Sequence, residues 1–258
     1  MNAIKNFFKV ILYKPLFNLL IFFVWLMPND NVGWAIILLT VLIRLILYPS
    51  QQKSLESQKR LQEIQPEMDE IKKKYAKDQQ AQAQATMDLY KRYNVNPFSS
   101  CLPLLIQLPI LYILYRVFTV GLNTQRYDLL YNFTPRPEHI NTIFYGIDLN
   151  NPNLYLAILA GVLQFIQSKQ VMSTQPKTGK SGDKNVKSPE SMVGDFSKQM
   201  IYLFPIFTVI IAMRLPSALA LYWIVTTLFM VLQQWFIYRS KAGIDKKGVS
   251  VVIRKPEN

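Results

Sequence analysis

Long apolar runs separated by basic loops constrain this chain more than any other feature. Five runs are candidate membrane spans, at residues 33–49, 98–119, 153–171, 199–214 and 217–238. Half of the 258 residues are hydrophobic, yet 29 Lys and Arg stand against 16 acidic residues, and the basic ones lie between the runs. This pattern is typical of α-helical membrane proteins with charged loops. We therefore predict an all-α, polytopic membrane protein with a five-helix transmembrane core.

Several of these runs are short for a membrane span. A full crossing needs about 20 residues, so the shorter runs predict local bilayer thinning or a water-filled recess. The first apolar stretch, residues 10–27, is shorter still, because Asn18 interrupts it after Pro15. We predict that residues 1–30 form an interfacial amphipathic helix lying on the membrane. A sixth span through residues 10–27 is the alternative.

The charges of the loops predict an orientation, because Lys and Arg accumulate on the cytoplasmic side. The segment 51–97 has nine basic residues and the tail 239–258 has six, whereas 120–152 has two. We therefore predict that 51–97, the flexible loop 172–198 and the basic tail 239–258 lie in the cytoplasm. The loop 120–152 is predicted to be external. The predicted location is the cytoplasmic membrane, with a cytoplasmic C-terminus.

The cytoplasmic segment 51–97 is predicted to form an antiparallel helical hairpin. It contains no glycine, and its apolar residues recur at the spacing of a helical seam. The predicted turn is at residues 77–80. The seam residues are Leu61, Ile64, Met68, Ile71 and Tyr75 in the first arm, and Ala83, Met87 and Tyr90 in the second.

Several classes of function lack support in the sequence. No hydrolase, kinase or phosphate-loop motif is present. The single cysteine, Cys101, excludes an intrachain disulfide, and the single histidine, His139, excludes a multi-histidine metal cluster. The basic charge is spread over loops that flank apolar helices, which does not favour nucleic-acid binding. We predict a non-enzymatic protein with no cofactor and no metal.

Polar side chains within the predicted spans are the candidate functional residues. Arg44 stands inside an apolar run, where a guanidinium is unfavourable unless it finds water, a counter-charge or the bilayer surface. Thr40 lies one helical turn before it, on the same face. Gln107 lies in the second span, and Gln164 and Gln167 lie one turn apart in the third. Because buried amides need partners or water, these residues predict a shared hydrophilic groove.

Two alternatives apply to these polar residues. Arg44 is only five residues from Pro49, about 7 Å along a helix, so it could instead extend to the cytoplasmic headgroups. Gln233 and Gln234, near the cytoplasmic end of the last span, are predicted to be interfacial and not to line the groove.

Four segments resemble the YidC/Oxa/Alb family of membrane protein insertases. They are residues 32–50, residues 61–76, residues 94–119 (NVNPFSSCLPLLIQLPILYILYRVFT) and residues 215–240 (LPSALALYWIVTTLFMVLQQWFIYRS). The resemblance runs in order from about residue 15 to residue 240. The elements around CLP and QLP in the third segment, and LPS followed by LYW in the fourth, are its most specific motifs.

The resemblance implies a bacterial insertase that helps nascent membrane proteins enter the bilayer and fold, alone or beside the Sec translocon. It implies a groove arginine at Arg44, a polar neighbour at Thr40, and a substrate-contacting aromatic pair at Tyr222 and Trp223. It leaves open whether Gln164 or Gln167 takes the polar position of the third span. Lipid is a further expected partner, and the protein is expected to act as a monomer. The charge of the basic tail 239–258 is suited to contact with ribosomal RNA, and ordinary anchoring on the cytoplasmic side is the alternative.

A channel or small-solute transporter is the alternative function, because polar groups in a bundle core also describe a pore. The sequence shows no inverted repeat and no paired acidic residues in the spans. It also carries a long cytoplasmic hairpin, which a pore does not need. These features favour the insertase.

Overall fold

A computed structural model describes residues 9–76, 78–96, 102–122, 127–173 and 203–239. The predictions for Cys101, for the basic tail beyond residue 239 and for nearly all of the flexible loop 172–198 lie outside these residues.

The described chain is mostly helical. Two π-helical turns, Lys9–Tyr13 and Val117–Leu122, and one short hairpin of strands β1 (Ile143–Phe144) and β2 (Ile147–Asp148) accompany the helices. The helices are α1 (Lys14–Leu26), α2 (Val32–Glu63), α3 (Gln65–Lys74), α4 (Gln79–Arg92), α5 (Leu102–Arg116), α6 (Leu154–Ser173), α7 (Leu203–Ala212) and α8 (Ser217–Arg239).

Two of the described helices are long and apolar enough to cross a membrane. They correspond to Val32–Leu61 and Ser217–Phe236, within α2 and α8. Only 44% of the most apolar window of the first and 50% of that of the second are buried inside the protein. An apolar surface of this extent is unfavourable in water and is stable against lipid. These features are consistent with the predicted class, an all-α membrane protein.

Helix α2 is continuous across Pro49 and is 32 residues long. At about 1.5 Å per residue it extends about 48 Å, more than the hydrocarbon core of a bilayer. A proline inside a helix removes one backbone hydrogen bond. Beside this point, Gln233 Nε2 of α8 donates to the carbonyl oxygen of Tyr48 at 3.4 Å. A single helix therefore joins the predicted first span to the predicted cytoplasmic hairpin.

Helix α8 is the central element of the core, because it packs against both α2 and α6. Its small residues Ala218 and Ala220 are buried beside Leu219 and Tyr222. Bulky residues nearer its C-terminal end, such as Leu232 and Phe236, are exposed. The helix is thus mostly apolar, with part of its surface against protein and part available to lipid.

The loop between α5 and α6 covers the ends where α2 and α8 begin. The backbone N–H of Val32 donates to Asn141 O at 2.9 Å, and that of Ser217 donates to Asn151 O at 3.0 Å. These bonds satisfy N–H groups that the first turn of a helix leaves unpaired. Both helices therefore start at the same end of the molecule and run in the same direction.

Gly33 allows the β1–β2 hairpin to lie directly on the first turn of α2. A Cβ atom at this position would collide with the Phe144 ring. The turn between the strands uses Tyr145 at φ 48° and Gly146 at φ 79°, which is the left-handed region. Trp34 then packs edge-on against Phe144, with ring centroids 5.5 Å apart.

Asn18 attaches α1 to the same loop. Its Nδ2 donates to Lys14 O at 2.7 Å and to Leu129 O at 3.0 Å. Its Oδ1 accepts from Tyr131 N at 2.6 Å and from Thr134 Oγ1 at 2.8 Å. Phe17, Leu20 and other apolar residues of α1 are buried in the core cluster. The residue that interrupts the apolar run is therefore a fully bonded contact between α1 and the loop.

Helices α3 and α4 lie antiparallel. Asp78 caps α4, since its Oδ1 accepts from Ala81 N at 3.0 Å. Near the other end of the pair, Tyr90 Oη contacts Met68 Sδ at 3.8 Å, and the Tyr93 hydroxyl donates to the Glu67 carboxylate. That hydrogen bond, followed by partial burial, raises the pKa of Tyr93 above its ordinary value.

The predicted seam of the second arm is right at Tyr90, which contacts Met68, and wrong at Ala83 and Met87. Ala83 and Met87 are exposed, with 54% of Met87 accessible, whereas Gln82 and Leu89 are buried. The spacing of apolar residues predicted that the face of α4 with Ala83 and Met87 packs against α3. The buried residues Gln82 and Leu89, seven residues apart, lie on a different face of the helix.

Candidate functional site

Three polar side chains from three helices meet inside the apolar core. Arg44 comes from α2, Gln107 from α5 and Tyr222 from α8. Arg44 Nη2 donates to Gln107 Oε1 at 2.9 Å, and Gln107 Nε2 donates to Tyr222 Oη at 2.9 Å. The amide thus uses its acceptor for the guanidinium and a donor for the phenol. We call these three residues the Arg44 cluster.

The guanidinium of Arg44 lies in the interior. Only 3% of the residue is exposed, so in this structure Arg44 does not extend to the headgroups. Its bonded partner is a neutral amide, and among the described residues its Nε has no hydrogen-bond partner. A buried cation is normally paired with a carboxylate or with water. Arg44 is therefore a charge held in place with bonding capacity still unused.

Access to the Arg44 cluster is through Gln107. Tyr222 is only 1% exposed, whereas Gln107 is partly exposed. Apolar side chains of the core cluster, including Leu114 and Leu219, are also buried within this bundle. The low surrounding dielectric strengthens any charge–charge contact made there.

Thr40 and Trp223 make no hydrogen bond to this cluster in the described structure. Thr40 is buried, but its Oγ1 donates to Ile36 O of its own helix at 2.6 Å. Trp223 is partly exposed beside the buried Tyr222. The two residues flank the cluster and are not part of its hydrogen-bonded chain.

Gln164 and Gln167 form a second polar contact, between α6 and α8. Gln164 Nε2 donates to Gln167 Oε1 at 2.9 Å, and Gln167 Nε2 approaches Met230 Sδ at 3.7 Å. Both glutamines are buried. Over the described residues, no hydrogen bond joins this pair to Arg44, Gln107 or Tyr222. The predicted polar residues therefore fall into two groups.

Further buried polar atoms lie along α8, between Tyr222 and the C-terminal end of the helix. Gln233 and Gln234 are buried, which the interfacial prediction did not anticipate. Thr226 Oγ1 and Gln234 Oε1 are buried with no hydrogen-bond partner among the described residues. In the sequence, these buried residues were evident only as Thr and Gln within a predicted spanning helix. What the sequence did not show was which side of α8 they occupy.

An open groove of about 730 Å³ lies on the outer face of α6 and α8, apart from the Arg44 cluster. It is mostly apolar, with Lys169 and Gln170 beside Phe165, Ile166, Leu232 and Trp235. A surface of this kind is suited to lipid tails or to another apolar helix. This open groove and the buried charge are thus separate features.

Comparison with known proteins identifies the family. The family model described as "60Kd inner membrane protein" matches residues 23–245. The chain belongs to the YidC family. Relatives named membrane protein insertase YidC, from Fusobacterium nucleatum and Clostridium tetani, are 35% and 37% identical, over 82% and 89% of this chain and 88% and 89% of their own lengths. "Membrane protein insertase YidC 1" of Halalkalibacterium halodurans is 36% identical over 87% of this chain and 77% of its own.

The match to the YidC family includes every element of the Arg44 cluster. Helices α2, α5 and α8 lie entirely within the matched residues, whereas the first part of α1 precedes them. The sequence resemblance to this family is therefore confirmed over most of the chain. The relatives carry the name of insertases, and none of those named here is a channel.

Proposed function

We propose that this chain is a membrane protein insertase, which moves the polar external ends of nascent membrane proteins across the bilayer and releases their helices into lipid. Membership of the YidC family supports the activity. The observation that carries the mechanism is the buried guanidinium of Arg44, which is bonded to a neutral amide and retains an unpartnered Nε. No catalytic step is required, and we propose a non-enzymatic protein.

Arg44 is proposed to attract an acidic external segment of the substrate. The unfavourable desolvation of the guanidinium has already occurred during folding, so a carboxylate gains a charge-assisted hydrogen bond without desolvating Arg44 again. Gln107, bonded to Arg44 and partly exposed, would be the first group displaced. The Arg44 cluster would then open into the hydrophilic groove, with Thr40, Gln164, Gln167 and Trp223 as proposed lining residues.

Bilayer thinning is proposed to shorten the path of the substrate. Exposed Trp34 and Tyr48 stand near the two ends of the apolar part of α2. Aromatic residues favour the membrane–water interface. Tyr48 follows Trp34 by fourteen positions, so the two lie about 21 Å apart along the helix at about 1.5 Å per residue. This distance is shorter than the hydrocarbon core of a bilayer, which is about 30 Å thick.

The driving force is proposed to be partitioning of the substrate's own apolar helix. Burial of apolar surface contributes about 25 cal/mol per Å². For acidic tails, the membrane potential adds about 2.3 kcal/mol per charge per 100 mV. The exposed apolar side of α8 would guide the helix sideways into lipid.

We propose the topology of the sequence prediction: five spans, with the loop 120–152 outside and the hairpin and C-terminus in the cytoplasm. It is supported by the loop between α5 and α6, which contacts the first turns of both α2 and α8. Helix α1 contacts this loop through Asn18, and the turn that follows α1 contacts it through Asp30 O, which accepts from Asn141 N at 3.1 Å. This arrangement favours an interfacial α1 on the external side over a sixth span.

The proposed location is the cytoplasmic membrane of a bacterium. Nascent membrane proteins and lipid are the proposed partners. Docking to the ribosome through the basic tail 239–258, cooperation with the Sec translocon and action as a monomer are further proposals. The channel alternative gains no support from the named relatives and is not carried further.

The test is insertion of a single-span substrate with an acidic external tail into liposomes that contain the purified protein. We expect Arg44→Ala to lower the insertion rate at least about tenfold, the loss of one charge-assisted contact. We expect Arg44→Lys to retain much of it, because the positive charge remains. Arg116→Ala is the matched control, since Arg116 is exposed at the end of α5. Equal insertion by all four proteins would refute the role of Arg44.

A further inference from the structure

A polar cavity lies where the hairpin joins the predicted membrane spans. It has a volume of about 350 Å³, within the lower range of small-molecule sites, about 300–1,000 Å³. One wall is the segment of α2 directly after Pro49, and the other is the chain that follows α4. The lining residues are Ser50, Lys53, Ser54, Glu56, Ser57, Arg60, Asn94 and Asn96.

The chemistry of this cavity favours an anion. Lys53 and Arg60 supply two positive charges against the single carboxylate of Glu56. That carboxylate already accepts a hydrogen bond from Gln52 Nε2 at 3.0 Å. The remaining lining groups are three hydroxyls and two amides, which donate hydrogen bonds readily to phosphate oxygens. Ser54 is 2% exposed, so part of the wall lies inside the fold and not on its surface.

The position of the cavity indicates the source of the anion. Ser50 is the first residue beyond the predicted span 33–49, and Tyr48 just before it is exposed, as in an interfacial aromatic belt. Arg60 lies about 15 Å further along the helix, but helical side chains lean toward the N-terminus, here toward the membrane. The lining charges therefore lie at, or lean toward, the level of the lipid headgroups.

We propose that this cavity binds the phosphate of an anionic phospholipid headgroup, held by Lys53 and Arg60. The lipid would fix the base of the hairpin to the cytoplasmic leaflet. The site is separate from the Arg44 cluster, and the proposal does not depend on the insertion mechanism.

The experiment measures binding of phosphatidylglycerol to the purified full-length protein by native mass spectrometry, with phosphatidylcholine for comparison. The test variant is Lys53→Gln/Arg60→Gln. The matched control is Lys91→Gln/Arg92→Gln, which removes the same two charges from exposed positions at the end of α4. We expect the test variant to bind phosphatidylglycerol about tenfold more weakly and the control to bind within about twofold of wild type.

Three results would overturn the proposal. Equal losses in both variants would indicate general attraction to a basic surface. Unchanged binding in the test variant would exclude the cavity. Inorganic phosphate that binds wild type as tightly as the lipid, and is lost only in the test variant, would make this a free-phosphate site. Lys53→Arg/Arg60→Lys keeps both charges and should restore lipid binding, which separates a binding defect from misfolding.

Discussion

Asn18 and Arg44 are both buried polar residues in apolar helices, but their bonding differs. The Asn18 amide makes four hydrogen bonds, two as donor and two as acceptor. The Arg44 guanidinium donates to the neutral amide of Gln107 and also interacts with the Tyr222 hydroxyl, but its Nε has no partner in the described chain. A fully satisfied buried group stabilises one arrangement of the fold. A partly satisfied buried charge retains the capacity to bind a ligand. A polar residue in an apolar helix can therefore stabilise the fold, as Asn18 does, or remain able to bind, as Arg44 does.

The largest expected effect comes from Asn18→Leu. The change leaves Leu129 O, Tyr131 N and Thr134 Oγ1 without their partner, and we expect it to lower the free energy of unfolding by about 3 kcal/mol. Thr134→Val removes one of the four bonds and should lower it by about 1 kcal/mol. Thermal unfolding in detergent measures both. If the two variants are equally stable, the Asn18 contacts do not act as a unit.

A smaller effect on stability is expected from Arg44→Met, which replaces the other buried polar residue with an apolar one and is measured by the same thermal unfolding. Replacing a buried, incompletely paired charge with an apolar side chain of similar length is often neutral or stabilising. We expect the free energy of unfolding to change by less than about 1 kcal/mol or to rise. Gln107 keeps its bond to Tyr222 in this variant. A loss as large as that of Asn18→Leu would place Arg44 among the structural residues.

The smallest effect is expected at Tyr93, whose hydrogen bond to Glu67 is partly exposed. Tyr93→Phe should lower the stability of the hairpin by less than about 1 kcal/mol at neutral pH. The pKa of Tyr93 is raised in the folded state, so the bond's contribution is complete below the ordinary tyrosine pKa of about 10. It is lost as the pH rises through the raised value. Hydrogen exchange of α3 and α4 should then show wild type and variant converging at alkaline pH.

Apolar periodicity predicted the helical class because that signal is local. The positions of Arg44 and Gln107 were also evident, since a charge or an amide in an apolar run is conspicuous. Their contact was not predictable, because 63 residues separate them and only packing brings α2 beside α5. The phase of α4 failed for a similar reason, since Gln82 is polar and yet buried.

The interpretation of Asn18 shows the same limit. In the sequence it weakened the case for a spanning helix. Three of its four hydrogen-bond partners lie more than 100 residues away, in a loop whose conformation depends on Gly33 and on the first turns of α2 and α8. Long-range hydrogen bonds of this kind leave no periodic trace in a single sequence.

The central place of α8 has a consequence for biosynthesis. Tyr222 is made 178 residues after Arg44, about 10–35 s later at about 5–20 residues per second. During that interval α2 carries its guanidinium without the helix against which it finally packs. The nascent protein therefore presents a charged residue to the bilayer before its own bundle is complete, which is the difficulty that an insertase relieves for other chains.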